Sequence, residues 1–360
     1  MTVDLAHLSL ALSPGIGPAR LPRLLREFGS AQGVLEASYE ALCAIEGLSR
    51  PAATAIRKID IASTERIVLR SEALGGQVLV PADESFPARL RAIPDPPMVL
   101  FGLGNVALLS LESVAIVGSR DHTRYGREVC RHIAGGAARA GLGVVSGMAR
   151  GLDAVAHEAA LDAGGATVGV LGNGLGIVYP SANRALYDRM AAHGCLITEF
   201  PPGERPHAGS FPRRNRLISG LARVTAVIEA GERSGTMLTV DAALAQGREV
   251  LVVPGPITSP RSTGCNRLLQ QGAKPLLGLR DVLEEYGLSH ESSARRMPVG
   301  ASDAERRVLE ELDRGTEVVD DIAARLDVPV ADVLAVVTTL EIKGLAVTEA
   351  GNVVRKKVGE

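Results

Sequence analysis

Val144-Val145-Ser146-Gly147-Met148-Ala149-Arg150-Gly151-Leu152-Asp153 passes from a β-branched run through a turn of small residues into an Ala-rich stretch, Asp153–Ala163. A strand that turns at once into a helix is the repeating unit of a parallel α/β sheet. The same texture extends to both sides. Strands are predicted at Val114–Val117, Val144–Ser146, Thr167–Leu171, Leu196–Thr198, Val224–Ile228 and Val250–Val253. Most are unbroken apolar runs, as strands covered on both faces require. Helices are predicted near Gly126–Ala140, Asp153–Ala163, Ala182–His193, Arg214–Leu221 and Thr236–Gln246. The fold class is therefore α/β, a doubly wound, mostly parallel sheet spanning residues 79–286.

The flanks read differently. Apolar residues recur at helical spacing in Leu5–Leu12, Leu21–Phe28, Val34–Leu42 and Ala52–Leu69, so residues 1–78 form a small all-α domain with no obvious strand. Within it, Leu12-Ser13-Pro14-Gly15-Ile16-Gly17-Pro18-Ala19 looks like the turn of a helix–hairpin–helix. Such a turn either offers backbone N–H groups to DNA phosphate or is a tight connection in a sterile-alpha-motif (SAM)-like module that contacts protein. Residues 287–300 are polar and aperiodic, a linker. Residues 301–360 follow as three amphipathic helices, Ala304–Leu312, Val319–Leu326 and Val330–Lys343, then a hairpin of Leu345–Thr348 with Val353–Arg355. That order is winged-helix-like. Val330–Leu340 carries little Arg or Lys, which favours a protein partner over DNA for this domain.

Bulk composition narrows the function classes. Net charge is −2 over 360 residues, so no uniform basic coat advertises nucleic acid and any DNA site must be local. Cys43, Cys130, Cys195 and Cys265 are scattered, which indicates neither a zinc site nor a disulfide framework. No signal pattern and no membrane-length apolar run occurs, so a soluble cytoplasmic protein is expected.

In an open parallel sheet, ligands bind beyond the carboxyl ends of the strands. The turns there are Gly118-Ser119-Arg120; Ser146-Gly147-Met148-Ala149-Arg150-Gly151; a long loop ending Phe211-Pro212-Arg213-Arg214-Asn215-Arg216; and Gly231-Glu232-Arg233-Ser234-Gly235-Thr236. Each pairs small residues, which let backbone N–H groups approach a ligand, with Ser, Thr or Arg side chains suited to phosphate oxygens. One such turn is ordinary turn chemistry; four on one edge indicate an anion site. The dinucleotide fingerprint and the P-loop pattern are both absent, which argues against NAD and ATP. No metalloprotease, C-x-x-C or nucleophile-elbow motif occurs either. Asp153 and His157 could pair an acid with a base, or be a helix-capping residue and a buried His. Phe211 beside three arginines suits single strands, which are held by a cationic groove and by stacking on aromatic faces; alternatively it anchors the loop in the core.

Taken together, Val117–Arg120, Ser146–Asp153, Phe211–Leu221, Ser234–Thr236 and Gly247-Arg248-Glu249-Val250-Leu251-Val252-Val253-Pro254-Gly255 closely resemble the DNA processing protein A (DprA, or Smf) family over residues 80–285, with all motifs in order. The resemblance implies an extended Rossmann-like domain that binds single-stranded DNA without chemistry or cofactor, forms homodimers through that domain, and delivers DNA to RecA in natural transformation, with single-strand-binding proteins as further partners. It implies no catalytic and no metal residue. Carried over by position, Gly118, Ser119, Arg120, Ser146, Gly147, Arg150, Arg213, Arg214, Asn215, Arg216, Ser234, Gly235 and Thr236 would hold phosphates, and Phe211 would stack on a base. Some relatives place a Lys in the loop before the Phe; here Arg205-Pro206-His207-Ala208 stands there, so Arg205 is the candidate replacement. Ile257–Gly272, with Leu268 and Leu269, is the candidate pairing edge. The alternative is an enzyme, a nucleotide phosphoribohydrolase of the lysine-decarboxylase-like family. Those proteins carry a catalytic Glu three residues after the Thr of Gly-Thr, where this chain has Thr239.

Overall fold

The structure, a computed structural model, describes residues 4–288, 302–313, 318–343, 345–349 and 353–356. The chain divides into two compact units, Met1–Leu288 and Ser289–Glu360. The linker expected at 287–300 lies almost wholly outside the described residues.

The first unit opens with six helices: α1 (Leu5–Leu12), α2 (Arg20–Phe28), α3 (Ala31–Glu36), α4 (Tyr39–Cys43), α5 (Arg50–Arg57) and α6 (Ile61–Ala73). Side-chain caps interrupt two stretches whose periodicity predicts continuous helix. The Ser38 hydroxyl accepts from Ala41 N and starts α4, and the Asp60 carboxylate accepts from Ala62 N and starts α6. Around Gly15 a tight hairpin joins α1 to α2, and the region repeats it once. Leu10, Gly15, Ile16 and Leu24 correspond to Leu42, Gly47, Leu48 and Ile56, the apolar members of each set being buried. Ile16 N donates to Ser13 O at 3.2 Å and Leu48 N to Ile45 O at 3.1 Å. Both tip glycines have φ of +81°, a conformation other residues rarely adopt. Arg20 joins the tips: its Nη1 donates to Gly15 O at 2.6 Å and its Nε to Gly47 O at 3.0 Å.

The sheet has nine strands in the order β1-β2-β6-β5-β4-β3-β7-β8-β9. They are β1 (Gly76–Leu79), β2 (Leu100–Gly104), β3 (Ser113–Val117), β4 (Gly143–Ser146), β5 (Thr167–Val170), β6 (Cys195–Thr198), β7 (Val224–Val227), β8 (Glu249–Val252) and β9 (Lys274–Pro275). β3 to β8 are the six predicted strands, all parallel. β2 runs antiparallel to β6 and β1 antiparallel to β2. β1 begins at Gly76, so the boundary expected at residue 78 falls inside a strand. α7 (Ala88–Arg91) precedes β2; α8 (Arg124–Arg139), α9 (Leu152–Asp162), α10 (Arg184–His193), α11 (Ser210–Leu221), α12 (Thr236–Ala245), α13 (Thr263–Gln270) and α14 (Leu279–Glu285) fill the crossovers and the end of the unit.

Two cores sandwich this sheet. Ile133, Ala137, Val155, Ala156, Val282 and Leu283 from α8, α9 and α14 cover one face; Leu217, Leu221, Val240 and Leu268 from α11, α12 and α13 cover the other. A further core joins Leu8 of α1 and Ile67 of α6 to Phe101, Leu171 and Leu196, which fastens the helical region to the sheet. Because the chain walks β3-β4-β5-β6 in one direction and then returns to place β7 beside β3, the following helices α8 and α12 lie on opposite faces. A crevice opens between them at the carboxyl edge, the place where doubly wound sheets bind ligands.

The second unit contains α15 (Asp303–Asp313), α16 (Val319–Leu326) and α17 (Val330–Ile342), then the hairpin β10 (Ala346–Glu349) and β11 (Val353–Lys356). Val308, Leu309, Ile322, Val333, Val337, Leu340 and Val354 form its core. This is the winged-helix arrangement the helix-helix-helix-hairpin order predicts.

Candidate nucleic-acid interface

The crevice at the carboxyl edge is a groove of about 580 Å³ lined by Gly118, Ser119, Arg120, Phe211, Asn215, Arg233, Ser234, Gly235 and Thr236 among others. A second hollow of about 240 Å³ adjoins it, lined by Gly147, Arg150, Gly172, Asn173, Tyr179 and Pro180. Arg120, Ala149, Phe211 and Arg214 line both. The half-buried Phe211 ring thus stands at the partition. The Arg120 guanidinium carbon lies 5.8 Å from its centroid and the Tyr179 ring 5.6 Å away, tilted by 38°.

Each turn holds its shape for a local reason. Gly118 lies so close to α9 that a Cβ there would sit 2.5 Å from Leu152 Cδ1. Ser119 N donates to Glu229 O at 2.7 Å, and its hydroxyl accepts from Asp121 N at 3.1 Å. Thr236 N, at the start of α12, donates to the Ser234 hydroxyl at 3.2 Å, while nothing lies within 4 Å of where a Cβ on Gly235 would be. The groove wall at Gly235 is therefore open backbone. Phe211 and the residues after it, expected to close a loop, belong instead to the first turns of α11. Pro212 is tolerated there because the first N–H groups of a helix have no partner within it.

The predicted site residues separate into two groups. Gly118, Ser119, Arg120, Gly147, Arg150, Phe211, Arg214, Asn215, Ser234, Gly235 and Thr236 all line the groove or its annex. Arg120 and Arg150 are exposed there. Arg214 is only 4% exposed, however: its Nη1 donates to Gly147 O and Val170 O, and its Nε to Asn215 Oδ1 at 3.2 Å. It ties the ends of β4 and β5 to α11 and presents little of its charge to a ligand. Ser146 is fully buried and donates to Ile116 O at 2.6 Å between strands. Arg216 is aimed away from the groove, its Nη2 on both oxygens of the buried Glu199 at 2.6 Å and its Nε 3.1 Å from Asp95. Arg213 is exposed but sits over the Phe200 ring, with Nε 3.4 Å from Glu199. Arg205 is exposed and lines neither hollow.

Sequence reading missed Gly172, Asn173 and Tyr179, because the loop after β5 carries no cation. It also missed Arg261, on the segment after β8 whose leucines read as a pairing edge. In that segment Leu268 is 6% exposed and belongs to the sheet core, and the half-buried Leu269 packs against it.

Beneath the groove lies a buried polar cluster. Burial raises the Asp153 carboxyl above its usual range, against the opposing pull of Arg214. Burial pushes Arg214 down to about 10 and His157 down to about 3. The Thr167 hydroxyl donates to Val144 O and so accepts from Nδ1–H of a neutral His157, 2.7 Å away. His157 is fully buried, so the acid–base reading of Asp153 and His157 gives way to the packing one. Thr239 lies in the groove floor where a phosphoribohydrolase would need its Glu. Among the described residues, no group of three or more His, Cys, Asp or Glu is placed to hold a metal ion.

The fold and the groove define a doubly wound class of protein with a Gly- and Arg-lined carboxyl-edge crevice and an appended winged helix, and comparison with known proteins narrows the class. Residues 77–287 match the family described as DNA recombination-mediator protein A, and residues 292–352 the DprA winged helix domain. A putative DNA processing protein DprA of Mycobacterium tuberculosis is 40% identical over 309 residues, 81% of this chain and 79% of that protein. The DNA processing protein DprA of Bacillus subtilis is 42% identical over 205 residues, 57% of this chain and 69% of that one. Among solved structures, DNA processing protein A from Streptococcus pneumoniae aligns with a TM-score of 0.69 at 33% identity, covering 79% of this chain and 99% of that one. The Helicobacter pylori protein, solved for its single-stranded DNA binding mode, aligns at 0.54 with 29% identity, covering 59% and 95%. This chain belongs to the DprA family of DNA processing proteins.

Proposed function

We propose that the chain binds single-stranded DNA along the carboxyl-edge groove, protects it, and delivers it to the RecA recombinase in natural transformation and recombination. It acts by binding and positioning, not as an enzyme. The observation that carries this is Phe211: an aromatic face held at the partition between two hollows, with Arg120 and Tyr179 beside it. Backbone phosphates track the open turns at Gly118-Ser119-Arg120 and Ser234-Gly235-Thr236, with Arg150 and Arg233 as further cations, while one base stacks on Phe211. Stacking of this kind contributes about 1–3 kcal/mol per base and tolerates any sequence. Gly147, Arg214 and Asn215 act as positioning residues that hold the turns, Ser146 and Arg216 from outside the groove; Arg213 reaches DNA only by leaving Glu199. Delivery to RecA, cooperation with single-strand-binding proteins, homodimerisation through the sheet domain and a cytoplasmic site of action are supported by the family relationship. Among the described residues no helix is long and apolar enough to cross a membrane.

The test is fluorescence anisotropy with labelled oligo-dT against a duplex of equal length, across a salt series. Tight oligo-dT binding that Phe211→Ala and Arg120→Ala both weaken is expected. Equal affinity for duplex, or no loss in either variant, would reject the groove as a single-strand site. RecA delivery is tested separately, by whether the full chain speeds RecA nucleation on strands coated with single-strand-binding protein.

A further inference from the structure

An acidic side chain stands in the middle of this cationic groove. Asp121 follows Arg120 at the tip of the turn after β3, where its main chain is fixed by two bonds with the Ser119 hydroxyl: Asp121 N donates to it at 3.1 Å and it donates to Asp121 O at 2.9 Å. The carboxylate, exposed to solvent, accepts from Arg261 Nη2 at 2.7 Å. Arg261 arrives from the segment after β8, at the groove wall beside Pro260. Arg261 holds the Asp121 carboxyl below the usual carboxylate range, with smaller contributions from Arg150 and His122. One carboxylate oxygen therefore holds, inside a groove lined with arginines, a guanidinium that arrives from a distant loop.

We propose that Arg261 is a phosphate-binding residue of the groove and that Asp121 is an internal stand-in for the phosphate, which the DNA backbone displaces on binding. The inference rests on the single-stranded-DNA reading above. A carboxylate offers the same pair of acceptor oxygens to a guanidinium as a phosphate does, and Arg forks suit both. The ion pair is exposed, and exposed pairs are held by little net free energy, so a phosphate carrying more charge and more acceptors can take the guanidinium over. In the free protein the pair keeps Arg261 aimed into the groove. It also raises the threshold for binding, because an incoming phosphate must compete with a tethered anion.

The measurement is oligo-dT affinity of the full chain and three variants over a salt series. Asp121→Asn keeps the turn and removes the competitor, so affinity is expected to rise by up to about fivefold, the range of one weak exposed ion pair. Arg261→Ala is expected to lower affinity by a similar factor and to flatten the salt dependence by about 0.7, one single-strand phosphate contact. The double variant Asp121→Asn/Arg261→Ala is expected to bind like Arg261→Ala alone. An unchanged or weaker Asp121→Asn overturns the inference. So does a gain that survives in the double variant, since it would come from the general field and not from freeing Arg261. If Phe211→Ala still weakens binding, only the inference has failed; if wild type does not bind oligo-dT, both it and the underlying reading fail.

Discussion

Gly172 lies directly beneath Phe211: a Cβ built on Gly172 would fall 2.9 Å from Cδ1 of the ring and 3.2 Å from Cε1. The aromatic face is thus seated on bare backbone of the turn after β5, and its height above the sheet is set by the absence of one methyl group. Gly172→Ala is expected to lift the ring out of its seat. Because Phe211 is only half-buried and can move outward, the stability cost should sit at the low end of the roughly 1–3 kcal/mol typical of overpacking. Oligo-dT affinity should fall towards that of Phe211→Ala, a loss of about 1–3 kcal/mol. Anisotropy paired with thermal melts checks both halves; undiminished affinity would mean the seat is irrelevant.

Arg214 and Arg120 both face the groove region, yet their variants should behave in opposite ways. Arg214→Ala leaves Gly147 O and Val170 O without their donor and Asp153 without its nearby cation. Breaking such a buried arrangement costs about 3–5 kcal/mol, and Arg214→Lys should not restore it, because one ammonium on a flexible stem cannot reproduce the fork. Arg120→Ala should change stability by less than about 0.5 kcal/mol while weakening DNA binding. Denaturant melts beside salt titrations separate the two.

His157 makes stability depend on pH. Its folded pKa, about 3, lies below the ordinary value of 6.5, so between those limits the unfolded chain takes up a proton that the folded chain refuses. Stability from this group is complete above about pH 6.5 and declines as pH falls towards 3, by about 1.4 kcal/mol per unit. Asp153, raised by burial, slopes the other way, so the comparison must be between proteins. The stability of wild type relative to His157→Asn, which does not titrate, should fall on acidification from pH 6.5; a constant difference would refute the assignment.

Arg20→Ala should loosen the two hairpin tips. Hydrogen bonds to a charged donor contribute about 1.5–3 kcal/mol, with the lower figure appropriate to an exposed side chain. Amide exchange at residues 13–17 and 45–49 is expected to quicken while β3 to β8 keep their protection and oligo-dT affinity is unchanged. Slowed or unaltered exchange at both tips would contradict the stapling role.

The parallel strands were legible because burial on both faces writes an unbroken apolar run, as in Val114–Val117 or Val250–Val253. β1 and β2 were not, since Gly76-Gln77-Val78-Leu79 and Leu100-Phe101-Gly102-Leu103-Gly104 are short and contain glycine, and they are held by pairing, β2 with β6 and β1 with β2. At the site, convergence of the Gly-rich turns follows from topology alone, which is why Gly118, Ser119, Phe211 and Ser234–Thr236 could be placed together in advance. What sequence could not supply is the direction of a side chain. Arg213, Arg214 and Arg216 look alike in Pro212-Arg213-Arg214-Asn215-Arg216, but helical phase sends Arg214 into the sheet ends and both Arg213 and Arg216 to Glu199, the first exposed over Phe200 and the second largely buried. Arg261 was missed for the converse reason: its segment, with Leu268 and Leu269, reads as a pairing edge, while Arg261 turns towards Asp121 on a distant loop.

The doubled hairpin of the helical region is asymmetric. Where the first copy has Arg20 the second has Ala52, whose Cβ lies 3.1 Å from the point a Cβ on Gly15 would occupy. A long side chain at that second position would collide with the first tip, and a second guanidinium would crowd the one already serving both carbonyls. The two copies are therefore not interchangeable: one supplies the donor and the other the socket. The first half carries the guanidinium that holds its own tip, whereas the second, cut out and expressed singly, lacks the one that holds Gly47, so the dependence runs one way.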